Sequence, residues 1–164
     1  MLDLIDRKII KVVSWNSHSL DDIKREMMFE FLERNEIPLI GIAETWKMND
    51  EKKYDCKISG WRATGFNHKS GRRGLGSFAH TNLKLKYLEP YCLQTEWMTM
   101  ITGRIGKVVV VFVYVANGSR FDGIEEVLDK LGLLAMLYKD IVVLGDLNAR
   151  MGLLEDESTN AAGR

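Results

Sequence analysis

The chain of 164 residues has no net charge, 23 Lys and Arg against 23 Asp and Glu. It therefore lacks the positive surplus with which some proteins coat nucleic acid by bulk electrostatics, although a local basic loop can still grip a few phosphates. Cysteine is scarce: Cys56 and Cys92 stand far apart, with no Cys or His neighbours at metal-ligand spacing, and read as buried free thiols. Long apolar runs are missing too. The longest, Val108 to Ala116, is under half of the roughly 20 residues a membrane helix needs. The opening Met1-Leu-Asp-Leu-Ile-Asp-Arg7 has acids where a secretory signal needs a basic start and a long apolar stretch. The expectation is an intracellular chain, nuclear or cytoplasmic, with no membrane partner. No internal repeat, linker or low-complexity stretch is visible. What is present, 46% hydrophobic and 28% charged residues, is enough for a packed core and far from a disordered composition. A single domain over residues 1–164 follows, with a polar tail over 153–164.

Ile9 to Asn16 is β-branched and short, and reads as a buried strand. Ser19 is expected to cap a helix with Asp21 and Asp22 in its first turn, and with Ile23, Met27, Phe31 and Leu32 on its core face. Leu39 to Ala43 is a second apolar strand, ended by Glu44. A polar loop over Asn49 to Asp55 follows. Cys56 to Trp61 and Leu75 to Ala79 read as strands around an exposed Gly- and Arg-rich turn, Asn67 to Gly74. Leu83 to Tyr87 alternates by two, and Trp97 to Ile101 pairs with Lys107 to Tyr114 through Gly103-Arg-Ile-Gly106. Phe121-Asp-Gly123 opens a second helix striped by Ile124, Val127, Leu128, Leu131 and Leu134, and Ile141 to Leu144 is the next strand. The sum is an α/β architecture with mixed sheets and outer helices.

Three apolar strands end in a polar residue: Asn16, Glu44 and Asp146. Strand ends are where polar groups of α/β folds converge into a cleft. Asp146 and Asn148 lie two apart, and point to one side if the strand continues. His18 is near the same strand end, although a single unpaired histidine is more often structural or exposed. Lys69, Arg72 and Arg73 can meet a nucleic-acid backbone, or form an ordinary solvated turn. Gly71-Arg-Arg-Gly-Leu-Gly76 lacks the Gly-Lys-Ser/Thr ending of a phosphate-binding P-loop and leads into a strand, which excludes that nucleotide site. Trp61 and Trp97 can stack bases, but on strands they read as core or sheet-surface packing, and Met27, Met28, Met98 and Met100 read as core filler.

The blocks Ser14-Trp-Asn16 with Ser19-Leu20, Ile42-Ala-Glu-Thr-Trp46, Arg73-Gly-Leu-Gly-Ser77, Val111-Phe-Val-Tyr114 and Leu144-Gly-Asp-Leu-Asn-Ala149, in this order and spacing, resemble the endonuclease/exonuclease/phosphatase superfamily. The resemblance runs from about Ile9 to Gly152 and is greatest to the endonuclease domains of non-LTR retrotransposons. It implies a four-layer α/β sandwich of two mixed sheets flanked by helices, with a metal-dependent phosphodiesterase site at one end and DNA as the partner. By that resemblance Glu44 binds Mg²⁺ or Mn²⁺, Asn16 supports metal and phosphate, and Asp146 positions or deprotonates the attacking water. Asn148 binds phosphate oxygens, and Tyr114 lies beside the scissile phosphate.

Two departures stand out. Tyr114 leads into Val-Ala-Asn-Gly118 where the family has a proline, and no histidine follows Asp146, so the family's closing Ser-Asp-His motif has no counterpart in this chain. The expectation is a sandwich without its final strands, its open sheet edge covered by a protein partner or by a missing C-terminal segment. Alongside the nuclease stands a rival expectation, a catalytically inactive relative serving as an interaction subunit.

Overall fold

A computed structural model describes residues 9–46, 48, 51–116 and 124–148. Strand β1 (Val12–Asn16) leads through helix α1 (Asp22–Arg34) to β2 (Leu39–Ala43), and β1 and β2 pair in parallel, Asn16 opposite Ala43. Then follow β3 (Lys53–Ile58), β4 (Trp61–Phe66), β5 (Leu75–His80), β6 (Leu85–Tyr87), a 3₁₀ turn at Glu89–Tyr91 and β7 (Leu93–Gln94). The antiparallel pair β8 (Met98–Ile105) and β9 (Val108–Val115) precedes helix α2 (Ile124–Leu137) and β10 (Asp140–Asp146). β10 runs parallel to β9, with Asp146 opposite Tyr114.

Two sheets result, ordered β1-β2-β5-β4-β3 and β10-β9-β8-β6, with β7 joined to β8. Their facing sides bury Leu39, Ala43, Leu75 and Ala79 against Ile101, Val110, Phe112 and Tyr114. Behind the first sheet, Met28, Phe29 and Leu32 of α1 pack on Ile40, Ile42, Trp61 and Phe78. Behind the second, Val127 and Leu134 of α2 pack on Val109, Val111, Val113 and Val115. The strand alternation thus explains the unbroken apolar runs: both faces of β2 and β9 are buried, so neither has a polar side. The expected four-layer α/β sandwich is the observed one. Gly41 is what lets the sheets approach, since a Cβ there would overlap the Phe112 ring.

Local expectations are corrected at several points. The cap of α1 is Asp21, whose carboxylate accepts from the Lys24 backbone N–H at 2.8 Å, while Ser19 lies upstream in the left-handed region with φ of 82°. The buried face of α1 is Met28, Phe29 and Leu32; Ile23, Met27 and Phe31 are exposed, because Phe29 stacks on Trp61 and fixes the helix rotation. Ile9 and Ile10 precede β1, which is a half-exposed edge strand, and in α2 Leu128 is exposed. The stretch from Cys56 to Trp61 is a hairpin, turning at Ser59 and Gly60 with positive φ, and Cys56 is exposed on it while Cys92 is half-buried. The expected polar loop up to Asp55 is shortened because β3 begins at Lys53. The turn between β8 and β9 is Gly106-Lys107, so Gly103 lies within β8. The expected start of α2 at Phe121 and the polar tail lie outside the described residues.

Among the described residues, β1 and β10 each end their sheet, and they lie against each other on one flank. Beside β1 an open apolar groove of about 540 Å³ is lined by Trp15, Met27, Met28, Phe31 and Ile40. On the other sheet's side Val142, Val143, Met136 and Leu137 are exposed. No helix among the described residues is long and apolar enough to cross a membrane.

Candidate active site

Parallel pairing delivers the site residues to one end of the sandwich. β1 and β2 run together and release Asn16 and Glu44 side by side, while β9 and β10 do the same for Tyr114 and Asp146. The two pairs meet across the sheet interface: Asn16 donates from Nδ2 to Asp146 Oδ2 at 2.7 Å, and the Tyr114 hydroxyl donates to Glu44 Oε1 at 3.2 Å. Asn148 arrives by a turn, since the strand ends at Asp146 and Asn148 has φ of 47°. Its backbone N–H donates to Asp146 Oδ1 at 2.9 Å and its Nδ2 to the Val115 carbonyl at 2.7 Å. Asp146 is therefore held through both oxygens, one by each amide residue. Gly145 is needed just before it, because a Cβ there would overlap the Val113 carbonyl oxygen.

Electrostatics keep Tyr114 protonated. Burial, then the adjacent Glu44 carboxylate, push its hydroxyl above the ordinary tyrosine range, with Arg73 partly opposing. The group thus enters the site as a neutral donor.

Loop 17–20 is anchored from both sides. Ser17 N–H donates to the Ala43 carbonyl at 3.0 Å and Ser19 N–H to the Glu44 carbonyl at 2.9 Å. From α1, Lys24 Nζ donates to the carbonyls of Ser17, His18 and Ser19 at 3.0, 3.1 and 2.9 Å. His18 N–H in turn bonds Asn16 Oδ1 at 3.0 Å, orienting that amide so that its nitrogen faces Asp146. His18 itself joins the site: its Nδ1 lies 3.0 Å from Glu44 Oε2, and its ring meets Trp46 edge-on at 5.6 Å. The sequence pattern assigns no site role to Lys24 or Trp46; the signal for Lys24 is a cation in the first turn of a helix, where the macrodipole disfavours it.

The basic loop flanks this cluster. Backbone N–H groups of Glu44 and Trp46 bond the carbonyls of Gly74 and Arg73 at 2.9 and 2.7 Å. Arg73 stacks over Trp97 at 4.9 Å and donates to the Glu96 carbonyl at 3.2 Å, Lys69 pairs with the Glu96 carboxylate at 3.5 Å, and Arg72 is exposed. Trp97 is thus a half-buried platform for Arg73, whereas Trp61 is core. Of the expected packing methionines, Met28, Met98 and Met100 are buried and Met27 is exposed.

Backbone strain concentrates here. His18, Ser19, Glu44, Trp46, Arg73 and Asn148 all have positive φ without being glycine. Such conformations cost about 1 kcal/mol or more each and persist where the surroundings enforce them. Among the described residues no group of three or more His, Cys, Asp or Glu side chains is arranged to hold a metal ion. The carboxylate of Glu44 nonetheless suits a hard cation that takes one or two protein ligands and completes its shell with water and substrate phosphate.

No family model and no curated protein matches the chain. Solved structures do. A 3'-5' exonuclease, NExo, from Neisseria meningitidis superposes with a TM-score of 0.59 at 18% identity, covering 87% of this chain and 59% of that one. An AP endonuclease from Archaeoglobus fulgidus gives 0.56 at 19%, over 89% and 60%. The endonuclease domain of TRAS1, a telomere-specific non-LTR retrotransposon, gives 0.58 at 12%, over 94% and 67%. The chain thus spans about three-fifths of the length of the first two. These likenesses and the ordered motif blocks agree that the chain has the fold of the endonuclease/exonuclease/phosphatase superfamily.

Proposed function

We propose that this chain is a divalent-metal-dependent phosphodiesterase domain that cuts DNA. The observation that carries the reading is the convergence, from four strand ends, of two hydrogen-bonded sets, Asn16–Asp146–Asn148 and Tyr114–Glu44, which His18 bridges through its backbone N–H to Asn16 and its ring to Glu44. Glu44 holds Mg²⁺ or Mn²⁺ with support from Asn16, and the ion when bound neutralises charge on the reacting phosphate. Asp146, fixed by Asn16 and Asn148, accepts a proton from water as the water oxygen bonds to phosphorus and the opposite phosphorus–oxygen ester bond breaks. Tyr114, protonated at neutral pH, and the Asn148 amide bind the phosphate oxygens. Lys69, Arg72 and Arg73 on the neighbouring loop contact the DNA backbone. A covering polypeptide, from a partner or a further segment, pairs with the open flank of β1 and β10.

The test is nicking of supercoiled plasmid in Mg²⁺ or Mn²⁺. Wild-type chain nicks, and Glu44→Gln and Asp146→Asn each lower the rate by at least about a hundredfold. Nicking unchanged in either variant, or absent from the wild type, overturns the reading. The rival role, a noncatalytic interaction subunit, has the exposed apolar flank in its favour and expects no cleavage with any divalent ion.

A further inference from the structure

His18 is an exposed side chain on a rigidly anchored loop. Its imidazole is 82% exposed, while the Glu44 side chain facing it is 19% exposed. The backbone that carries it is tied down by Ser17, by Ser19 and by the three carbonyl contacts of Lys24. His18 and Glu44 both occupy the left-handed region, with φ of 46° and 54°. The fold thus spends backbone strain on bringing one nitrogen and one oxygen together at the mouth of the cleft, where a surface ion pair alone returns about 1 kcal/mol or less.

We infer that His18 Nδ1 and Glu44 Oε2 form a mixed nitrogen–oxygen ligand pair that gives this site a preference for a first-row transition ion such as Mn²⁺ over Mg²⁺. The inference rests on the phosphodiesterase reading for the role of Glu44 and adds a ligand to it. Two adjacent ligand atoms each about 2.1 Å from an octahedral ion stand about 3 Å apart. The pair is separated by 3.0 Å. Imidazole nitrogen discriminates in favour of transition ions, whereas Mg²⁺ is served by oxygen alone. Trp46, edge-on to the ring, limits how far the imidazole can turn away, and Asn16 Oδ1, which accepts the His18 backbone N–H, holds the backbone that carries it.

The experiment loads the chain with Mn²⁺ and records pulsed electron paramagnetic resonance, together with calorimetric titrations of Mn²⁺ and Mg²⁺ on wild type, His18→Asn and Glu44→Gln. A ¹⁴N coupling from one imidazole is expected in the wild type and lost in His18→Asn. That substitution should weaken Mn²⁺ binding about tenfold or more and Mg²⁺ binding by much less. Glu44→Gln should weaken both. A ¹⁴N signal that persists in His18→Asn, its absence from Mn²⁺-loaded wild type, or equal loss of both ions overturns the ligand assignment. If Mg²⁺-dependent plasmid nicking by the wild type stands in that case, only the assignment has failed. If the ¹⁴N coupling is present but the wild type never nicks DNA, the nuclease reading has failed and the metal pair remains.

Discussion

Replacing Lys24 by methionine puts two physical effects in opposition, so the sign of the outcome is informative. Lys24 is the third residue of α1, after the Asp21 cap, where a positive charge opposes the helix macrodipole. By that effect alone its removal should stabilise the chain by about 0.3 to 1 kcal/mol. Against this stand three ammonium-to-carbonyl hydrogen bonds onto consecutive residues, Ser17, His18 and Ser19. Bonds to a charged donor are worth about 1.5 to 3 kcal/mol each when well shielded. Here water can reach part of the loop, and the three acceptors share one cation, so the net loss is set at about 2 kcal/mol in total. For a chain of this length that lowers the melting temperature by about 4 to 8 °C. Thermal and urea unfolding of Lys24→Met, followed by circular dichroism, give the number. Metal titration should weaken in parallel, because His18 and Asn16 hang on the same loop. A variant that melts at or above the wild-type temperature would refute the clamp and leave only the dipole effect.

Gly145→Ala should destabilise by about 1 to 3 kcal/mol, since its methyl must push β10 off the Val113 carbonyl, and it should abolish nicking by shifting Asp146; urea midpoints and the plasmid assay check both. Gly41→Ala should cost a similar amount by wedging the sheets apart at Phe112, and Phe112→Leu in the same chain should restore part of the loss in a double-mutant cycle. Burial holds the Tyr54 and Tyr87 hydroxyls above the ordinary tyrosine pKa of 10.0. Groups raised in the folded state give stability that is complete below the unfolded value and is lost as pH climbs from about 10 toward the folded value. Urea midpoints should therefore fall above pH 10, and fall less steeply in Tyr54→Phe. Arg72→Ala should weaken duplex binding uniformly across sequences and reduce the salt slope by about 1, as read from affinities at several ionic strengths.

Part of the candidate site is legible because apolar strand segments give way to polar side chains where the strands emerge: β2 is buried along its length and is followed by Glu44, while β1 and β10 are half-exposed edge strands that end in Asn16 and Asp146. Asn148 was found by spacing, although a turn rather than continued strand alternation brings it to Asp146. The rotation of α1 was not legible, since Ile23-Met27-Phe31 and Met28-Phe29-Leu32 both satisfy helical spacing. Only the stacking of Phe29 on Trp61, from a strand 32 residues on, decides between them. β4 was hidden because its buried middle is Ala63-Thr64-Gly65, small residues that fit close neighbours rather than an apolar run. The His18 and Lys24 contacts depend on a loop in left-handed conformations, for which Ser-His-Ser, without Gly, Asn or Asp, carries only a weak turn signature.

The site draws its five residues from two strand–helix–strand units, one per sheet, the first holding Asn16 and Glu44 and the second Tyr114, Asp146 and, just past its last strand, Asn148. Neither unit contains the cleft by itself; it exists only where the two are docked, and Asn16 and Asp146, 130 residues apart, touch across that junction. A ligand that bridges the halves therefore acts as a thermodynamic latch between the sheets. Its binding energy adds to the docking equilibrium as RT ln(1 + [L]/Kd), so ligand at a hundred times its Kd contributes about 2.7 kcal/mol to holding the sandwich closed. Substrate, on this account, is also a folding partner.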